Sequence, residues 1–410
     1  MLDSHTSAIT DIIQRHEAWR ATTLNLIASE NLISPAVRRA LDNDLVGRYT
    51  DYTGRDLRSR RYRGNRYVIE LEEAAEALAK QVFHASQVEL RPLSGHIAGA
   101  CVILGLCEAG DTILEVGTTG GSHRMASKFA ERSPVQLNVQ FLPFDETRWN
   151  IDLAGAVTMI EQTKPKMVIL GNSAFLYPQP IRELRAALDH ATGGSGYLIY
   201  DGSHVLGLIA GGAFQQPLEE GADVVYGSTH KTLPGPQGGI IYSNRADLMD
   251  RIAKALYPPL VTNHHSFRIP ALALTFEEML AYGADYARQV IANSQALGEA
   301  LAALGTPPLA VDGVYSQSHT LLLPIAQFGT DVAERLEAAG IICGAFRVPD
   351  ALGGKGLRLG TQELARMGAR EADMGQVAAL ILAGLTTNDP DATAARVAEF
   401  VRGLPGLAFA

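Results

Sequence analysis

A lysine in a glycine-rich turn and an aspartate at the end of an apolar run are the residues most clearly suited to chemistry. Lys231 lies in the run that extends from Tyr226 to Gly239, and Asp201 ends the apolar run that begins at Tyr197. A lysine amine condenses with an aldehyde, and a carboxylate keeps a pyridine nitrogen protonated. The pair predicts an enzyme that uses pyridoxal 5'-phosphate.

A serine-glycine turn offers a place for the phosphate of that cofactor. Ser94, Gly95 and His96 follow a proline and a leucine and precede an apolar helical pattern. Such a turn presents unpaired backbone N–H groups, a hydroxyl and the positive end of a helix dipole to an anion. A helix N-cap serine explains the same pattern without a ligand. The presence of Lys231 favours the phosphate interpretation.

Three histidines and one arginine are further candidates. His123 follows a Gly-Gly-Ser turn and could stack on a ring or move protons, although a loop histidine is often only structural. His204 and His230 stand near Asp201 and Lys231 along the chain, where an imidazole either touches the cofactor or packs. Arg358 lies in an apolar, glycine-flanked run. A buried arginine needs an anion, so a substrate carboxylate or a structural ion pair is expected.

The elements that must position these residues follow an alternating pattern. Residues 1–25 have the spacing of an amphipathic helix, and residues 48–66 are rich in arginine and tyrosine. Short β-rich runs then alternate with helical patterns, which predicts a mainly parallel α/β sheet whose ligands bind at the carboxyl ends of the strands. The predicted strands are 111–116, 135–144, 167–171, 197–201, 222–226 and 239–243. A long helix is expected over 269–304, then a strand at 320–323 and helices near 331–339 and 371–385.

Bulk properties exclude several classes of protein. The chain has 410 residues, of which 47% are hydrophobic and 19% charged, and a formal net charge of -9. These values predict a compact protein that does not bind nucleic acid nonspecifically. Its three cysteines have no metal-ligand spacing, and neither a membrane span nor a secretory signal is visible. We therefore expect a cytoplasmic protein without a metal site.

Several long motifs in order resemble the serine hydroxymethyltransferase family, and archaeal-type members most of all. The motifs are LIASEN from Leu26, YDGSHVLGL from Tyr200 and STHK from Ser228, and the similarity extends to about residue 385. The resemblance implies the fold-type I architecture of pyridoxal-phosphate enzymes, which is aspartate aminotransferase-like α/β. In that architecture we expect a helical arm at 1–48, a large cofactor-binding domain at 49–268, and a linking helix with a small α/β domain at 269–410.

The resemblance also implies roles for individual residues. Lys231 resembles the lysine that carries the cofactor, Asp201 the partner of the ring nitrogen, and His123 the histidine stacked on the ring. The predicted cofactor-binding residues are Ser94, Gly95, His96, His123, Ser173, Asp201, His204, His230, Lys231 and Tyr49. The predicted catalytic residues are Lys231, Asp201, His123, Asp51 and Ser228. The predicted substrate-carboxylate residues are Arg358, Ser29 and His204. Tyr49 resembles a tyrosine that reaches the phosphate site of a neighbouring subunit, which implies a homodimer.

The folate side of the family pattern is altered. Asp51 stands where the family has a glutamate that handles protons on the hydroxymethyl group, and it is one methylene shorter. Extra residues enter before Tyr62, and Arg63 replaces a tyrosine. Phe346 replaces an asparagine that contacts the pterin, and a phenyl ring leaves polar groups of a pterin without hydrogen bonds.

These observations support one primary function and two alternatives. The primary prediction is retro-aldol Cα–Cβ cleavage of serine or a 2-substituted serine, with one-carbon transfer to tetrahydrofolate. The first alternative is a folate-independent threonine transaldolase or aldolase that transfers the glycine unit to another aldehyde, which the changes at Asp51, Arg63 and Phe346 favour. The second alternative is a non-catalytic pyridoxal-phosphate-binding protein, which would leave Lys231 and Arg358 without a purpose.

Overall fold

The structure is a computed structural model that describes residues 2–132 and 135–410; Met1, at the start of the predicted arm, lies outside the described residues. By their internal contacts these residues form two compact units. Of the described residues, the smaller unit comprises 2–28, 292–315 and 320–408, and the larger comprises 29–132, 135–291, 316–319 and 409–410. The expected domain limits at residues 48 and 268 stay a prediction, since compactness alone does not test where a domain folds.

The regular elements are as follows. The strands are β1 Leu24–Asn25, β2 Gln87–Glu89, β3 Thr112–Val116, β4 Asn138–Leu142, β5 Phe144–Asp145, β6 Asn150–Ile151, β7 Met167–Leu170, β8 Tyr197–Asp201, β9 Val224–Ser228, β10 Gly239–Ser243, β11 Thr320–Pro324, β12 Ile341–Ile342, β13 Gly344–Arg347 and β14 Lys355–Gly360. The α-helices are α1 Leu2–Arg20, α2 Pro35–Arg39, α3 Arg66–Val82, α4 Gly95–Leu106, α5 Met125–Ala130, α6 Leu153–Thr163, α7 Ile181–Thr192, α8 Leu206–Ala210, α9 Pro217–Glu220, α10 Ala246–Leu256, α11 Ile269–Ala303, α12 Val332–Ala338, α13 Gln362–Arg366, α14 Met374–Thr386 and α15 Pro390–Gly403. Short 3₁₀ helices cover Asp44–Gly47, Ser266–Arg268, Ala326–Phe328, Asp350–Leu352 and Glu371–Asp373.

A seven-stranded sheet forms the centre of the larger unit, with strand order β2-β10-β9-β8-β7-β3-β4. All of its pairings are parallel except the two made by β10, which runs antiparallel to β2 and β9. The predicted mainly parallel α/β sheet is confirmed. Helix α4 is apolar on all sides because it packs against both β9 and α10, and its side chains form much of the core of this unit.

The smaller unit contains a three-stranded antiparallel sheet in the order β11-β14-β13. Leu321 pairs with Leu359 and Leu323 with Leu357, and these four side chains belong to the apolar core of the unit. Because side chains alternate along a strand, the residue between Leu357 and Leu359 faces the opposite side of the sheet. That residue is Arg358.

The arginine-rich segment of residues 48–66 is anchored by buried charges. Arg60, 8% exposed, donates hydrogen bonds to the carbonyl of Thr50 and to the carboxylate of Glu72 on α3. The second oxygen of Glu72 lies 2.6 Å from Nε2 of His264. A buried ion pair that satisfies additional hydrogen bonds resists the loss of either partner. This segment is therefore held at Arg60 as firmly as a core element.

Tyr52 joins a second buried pair to the same segment. Its ring lies between the guanidinium groups of Arg60, at 5.0 Å, and Arg91, at 4.1 Å. Arg91 Nε donates to Glu89 at 2.8 Å, and another of its nitrogens donates to the carbonyl of Gly54 at 2.7 Å. Cation–π and carbonyl contacts thus satisfy charges that would otherwise be costly to bury.

Helix α1 differs from the other long helices in its exposure. Its side chains from residue 8 to residue 19 are exposed, among them Ile9, Ile12, Ile13 and Trp19. An apolar stripe at helical spacing normally faces another element. Among residues 2–132 and 135–410, no helix, α1 included, combines the length and the apolar character that a membrane crossing requires.

Candidate active site

The carboxyl ends of the parallel strands bring the predicted site residues to one edge of the large sheet. Asp201 ends β8 and Ser228 ends β9, while Ser173 follows β7 and His123 follows β3. The backbone N–H of Ser173 donates to the carbonyl of Gly121 at 2.9 Å, which ties the loops after β7 and β3 together. Ligands of parallel sheets bind at this edge.

The turn at Ser94 and Gly95 has the chemistry of a phosphate site. The hydroxyl of Ser94 caps α4 by accepting a hydrogen bond from the N–H of Ile97 at 3.2 Å. A Cβ on Gly95 would collide with Oγ of Ser228 and would lie 3.0 Å from Oγ of Ser203. Two hydroxyls and the first turn of a helix therefore meet at a position where only glycine fits. This set of donors fits the phosphate of pyridoxal phosphate.

Asp201 is held by neighbouring backbone and lies near a buried phenol, that of Tyr226. One of its carboxylate oxygens accepts a hydrogen bond from the N–H of Ser203 at 3.0 Å. Gly171 lies against the main chain of Asp201, and a Cβ added there would collide with the Asp201 carbonyl oxygen. Burial, followed by the negative charge of Asp201, raises the pKa of Tyr226 well above its usual value. The phenol stays protonated, and a fixed anion at this position suits a pyridinium nitrogen.

Two exposed histidines stand together at this edge. Nδ1 of His96 lies 3.3 Å from Nε2 of His123, and the rings meet edge to face. Partial burial, followed by the charge of Lys128, lowers the pKa of both imidazoles. The charge of Asp201 opposes this shift in both, and that of Lys231 adds to it in His123. Both rings therefore lie within the field of Asp201, and both favour the neutral form.

The backbone of Lys231 is fixed by a side chain from far along the chain. Nδ2 of Asn31 donates to the carbonyl of Lys231 at 2.7 Å and lies 2.8 Å from the hydroxyl of Tyr286. That hydroxyl donates to the carbonyl of Thr232, whose own hydroxyl donates to the carbonyl of His204, both at 2.8 Å. Asn31 ends the LIASEN motif, but the sequence alone assigns it no role.

The two histidines that adjoin Lys231 and Asp201 differ in their surroundings. Burial, followed by the charge of Lys231, lowers the pKa of His230 to about 4, so this imidazole is neutral near pH 7. The ring of His204 stacks on that of His319, with centroids 5.9 Å apart and planes 20° apart. Both of these stacked rings are buried. His319 has no motif of its own, so it was not predicted from the sequence.

Asp51 and Tyr49 make contacts of a different kind. Asp51 is 5% exposed, and its Oδ2 accepts a hydrogen bond from the hydroxyl of Tyr257 at 2.9 Å. Its Oδ1 is buried and has no hydrogen-bond partner in the part of the chain that the structure describes. Tyr49 is exposed, and its ring meets that of Tyr62 edge to face. Ser29 is half-buried at the start of the larger unit.

Arg358 belongs to the smaller unit. Its guanidinium carbon lies 5.3 Å from the ring centre of Phe346 on the neighbouring strand. Burial lowers the pKa of Arg358 to about 10, so the group stays charged near neutral pH. A desolvated guanidinium of this kind can bind a carboxylate through two parallel hydrogen bonds. Its role at the substrate carboxylate, like the roles of the other predicted residues, stays a prediction.

Metal and thiol chemistry find little support in these residues. Within 2–132 and 135–410, no three histidine, cysteine, aspartate or glutamate side chains form a group that could hold a metal ion. Cys101 and Cys107 are buried and Cys343 half-buried, and none forms a disulfide. Burial raises the pKa of all three thiols, those of Cys107 and Cys343 to about 12, which disfavours the reactive thiolate.

Comparisons with known proteins agree with this geometry. Residues 2–381 match the profile of the serine hydroxymethyltransferase family. The chain is 42% identical over 381 residues to a serine hydroxymethyltransferase of Methanopyrus kandleri, covering 91% of this chain and 87% of the relative. It is 40% identical to that of Aeropyrum pernix, covering 96% and 90%. A crystal structure of L-threonine transaldolase from Pseudomonas fluorescens in the internal aldimine state superposes with a TM-score of 0.92 at 28% identity, covering 100% of this chain and 95% of that one.

Proposed function

Because the chain belongs to the serine hydroxymethyltransferase family and is a pyridoxal-phosphate-dependent enzyme acting at a carbon–carbon bond, we propose that it cleaves the Cα–Cβ bond of serine or a 2-substituted serine. In this proposal the released one-carbon unit passes to tetrahydrofolate, which gives the enzyme a place in one-carbon metabolism. The observation that carries the proposal is the meeting of Lys231, Asp201, His123 and the Ser94 turn at one sheet edge.

Each of these residues has a definite task in the reaction. The N-terminus of α4 with Ser94, Ser203 and Ser228 would hold the cofactor phosphate, and Lys231 would carry its aldehyde. Asp201 would keep a proton on the ring nitrogen, and His123 would cover a face of the ring. When bound, pyridoxal phosphate supplies an electron sink for the pair of electrons left at Cα. Neutral His230 adds no charge that would compete with Asp201.

Carbon–carbon cleavage also requires a base for the β-hydroxyl proton of the substrate. We assign the removal of this proton to Asp51. Its Oδ2 accepts a hydrogen bond from Tyr257, and its Oδ1 is buried without a hydrogen-bond partner among the described residues. A carboxylate oriented by one hydrogen bond is suited to proton transfer over about 3 Å. Because Asp51 and Tyr49 make their contacts outside the group around Lys231, the proposal has the partner copy supply them in a homodimer.

The exposed apolar stripe of α1 supports this homodimer. Ile9, Ile12 and Ile13 are each more than half exposed, which suits a helix that packs on a second copy of the chain. Light scattering should give the mass of at least two chains for the wild-type protein. Ile12→Asp should dissociate it, whereas Asp11→Asn on the same helix should not. A monomeric wild-type protein would contradict the shared site. Cell fractionation would test the proposed cytoplasmic location.

A second candidate function is threonine transaldolase activity without folate. The transaldolase structure that superposes on this chain favours it, as do Phe346 and Asp51 in place of asparagine and glutamate. The enzyme would then cleave threonine and pass the glycine unit to another aldehyde.

Two product assays separate the two functions. We expect serine with tetrahydrofolate to give methylenetetrahydrofolate. Rapid acetaldehyde release from threonine, with no response to folate, would instead establish the second function. The double variant Phe346→Asn with Asp51→Glu should raise the folate response in that case. No gain would place the block in the arginine-rich segment of residues 48–66.

The cofactor assignment has its own test. Lys231→Ala should abolish the visible absorbance of the lysine-bound cofactor, while Lys128→Ala, which alters a nearby charge, should retain it. An unchanged spectrum in the Lys231 variant would refute the assignment.

A further inference from the structure

One face of the small antiparallel sheet carries a cation and an aromatic ring. In the pairing of β13 with β14, Gly344 lies opposite Arg358 and Phe346 lies opposite Gly356. Phe346 and Arg358 are therefore diagonal neighbours on the same face, within reach of each other's side chains. The guanidinium carbon lies 5.3 Å from the centre of the ring.

On their own two strands the nearest neighbours of this pair are glycines, while Leu322 of β11 lies opposite Arg358 on its other side. Gly344 and Gly356 contribute no side chains beside Arg358, and a Cβ added to Gly344 would meet nothing within 4 Å. The leucines on both sides of Arg358 point to the apolar core on the other face of the sheet. Phe346 is thus the large side chain of β13 that can orient the guanidinium from the neighbouring strand.

The ring has two physical effects on the guanidinium. It attracts the cation through its π-face and excludes water on that side, which strengthens the hydrogen bonds that the guanidinium makes to an anion. It also restricts a long, flexible side chain, so that less conformational entropy is lost when an anion binds. The N–H groups lie in the guanidinium plane, so a planar carboxylate binds to the edge of the group.

We propose that Phe346 is a positioning residue for substrate binding, whose ring holds the guanidinium of Arg358 with its edge presented to the carboxylate of the amino-acid substrate. This inference rests on the proposed function, in which Arg358 holds that carboxylate. An asparagine side chain at the same position has no π-face to offer. The position therefore serves the amino-acid donor here.

The test is glycine binding to the holoenzyme, measured by isothermal titration calorimetry. Phe346→Leu keeps an apolar side chain but loses the ring, and it should weaken glycine binding about 3- to 30-fold, the effect of an ordinary cation–π contact. Phe346→Tyr keeps the ring and should bind glycine as the wild type does. Ethanolamine has the amine of the substrate but no carboxylate, and its affinity should be equal in all three proteins.

The outcomes distinguish this inference from the proposed function. Equal glycine affinity in the Leu variant and the wild type would overturn the inference alone, as would a loss of glycine and ethanolamine binding by the same factor. In steady-state cleavage, the Leu variant should show a raised KM with kcat nearly unchanged, whereas a kcat effect alone would also overturn it. A cofactor-loaded wild-type protein that binds no glycine would overturn the inference and the proposed function together.

Discussion

Replacing Gly171 by alanine should test how closely the chain must approach Asp201. Gly171 has φ of +114°, a backbone conformation that L-residues rarely adopt, and a strained residue of this kind costs about 1–3 kcal/mol. The new Cβ would also collide with the carbonyl oxygen of Asp201 and lie 2.9 Å from its Cβ. Forcing an extra carbon into a packed site costs about 1–3 kcal/mol more. The free energy of unfolding should fall by about 2–6 kcal/mol.

Gly110 provides the matched control. Its φ is +90°, yet a Cβ there would meet nothing within 4 Å, so Gly110→Ala carries backbone strain without the collision. Urea unfolding of both apoproteins, followed by circular dichroism, would separate the two contributions. Only Gly171→Ala should also weaken cofactor binding, since only it displaces Asp201. Equal losses of stability in the two variants, within about 0.5 kcal/mol, would refute the close-approach argument.

Three further predictions concern buried groups. Folding lowers the pKa of His230 from 6.5 to about 4. The unfolded chain therefore binds a proton before the folded protein does, and the folded protein loses stability as the pH drops from about 7 to 4. In urea titrations, His230→Gln should lose about 1–3 kcal/mol less than the wild type over that range. Glu72→Gln removes the anion that pairs with the buried Arg60 and contacts His264, and it should cost about 3–5 kcal/mol in thermal unfolding. Asp44→Asn, in an exposed pair with Arg48, should leave the melting temperature nearly unchanged. Asn31→Ala removes the hydrogen bond to the Lys231 carbonyl and should lower the free energy of unfolding by about 1–3 kcal/mol. Fluorescence titration should also show a loss of cofactor affinity, and unchanged affinity would contradict a positioning role.

The strand pattern could be predicted where apolar runs are short and end sharply. The expected strands 197–201 and 239–243 coincide with β8 and β10. The expected strand 135–144 was too long, because Pro143 interrupts the run and β4 ends at Leu142. Strand β2 was missed because Glu89 within it is charged, and only the structure reveals the ion pair with Arg91 that permits its burial. Helix α15 was missed because its sequence is more polar than those of α11 and α14, which were predicted.

The site could be predicted only as far as its motifs extend. Ser94, Asp201 and Lys231 stand in recognisable local contexts, so their strand-end and helix-cap positions followed from short segments. Asn31 meets Lys231 from two hundred positions away, and no local pattern encodes such a contact. The ring of Phe346 over its arginine was equally invisible, because it depends on the register of two strands.

The firm attachment of the arginine-rich segment has a consequence for engineering this enzyme. Arg60 and Asn65 are buried at 8% and 7% exposure, while the four residues between them are exposed. Asn65 also donates hydrogen bonds to the carbonyls of Tyr49 and Tyr62, which connects the exposed residues 61–64 to the start of the segment. Saturation libraries over residues 61–64 should therefore retain expression and thermal tolerance, whereas libraries that include Arg60 should consist mostly of unfolded clones. Under the proposed function, residues 61–64 are therefore the starting point for directed evolution of acceptor scope.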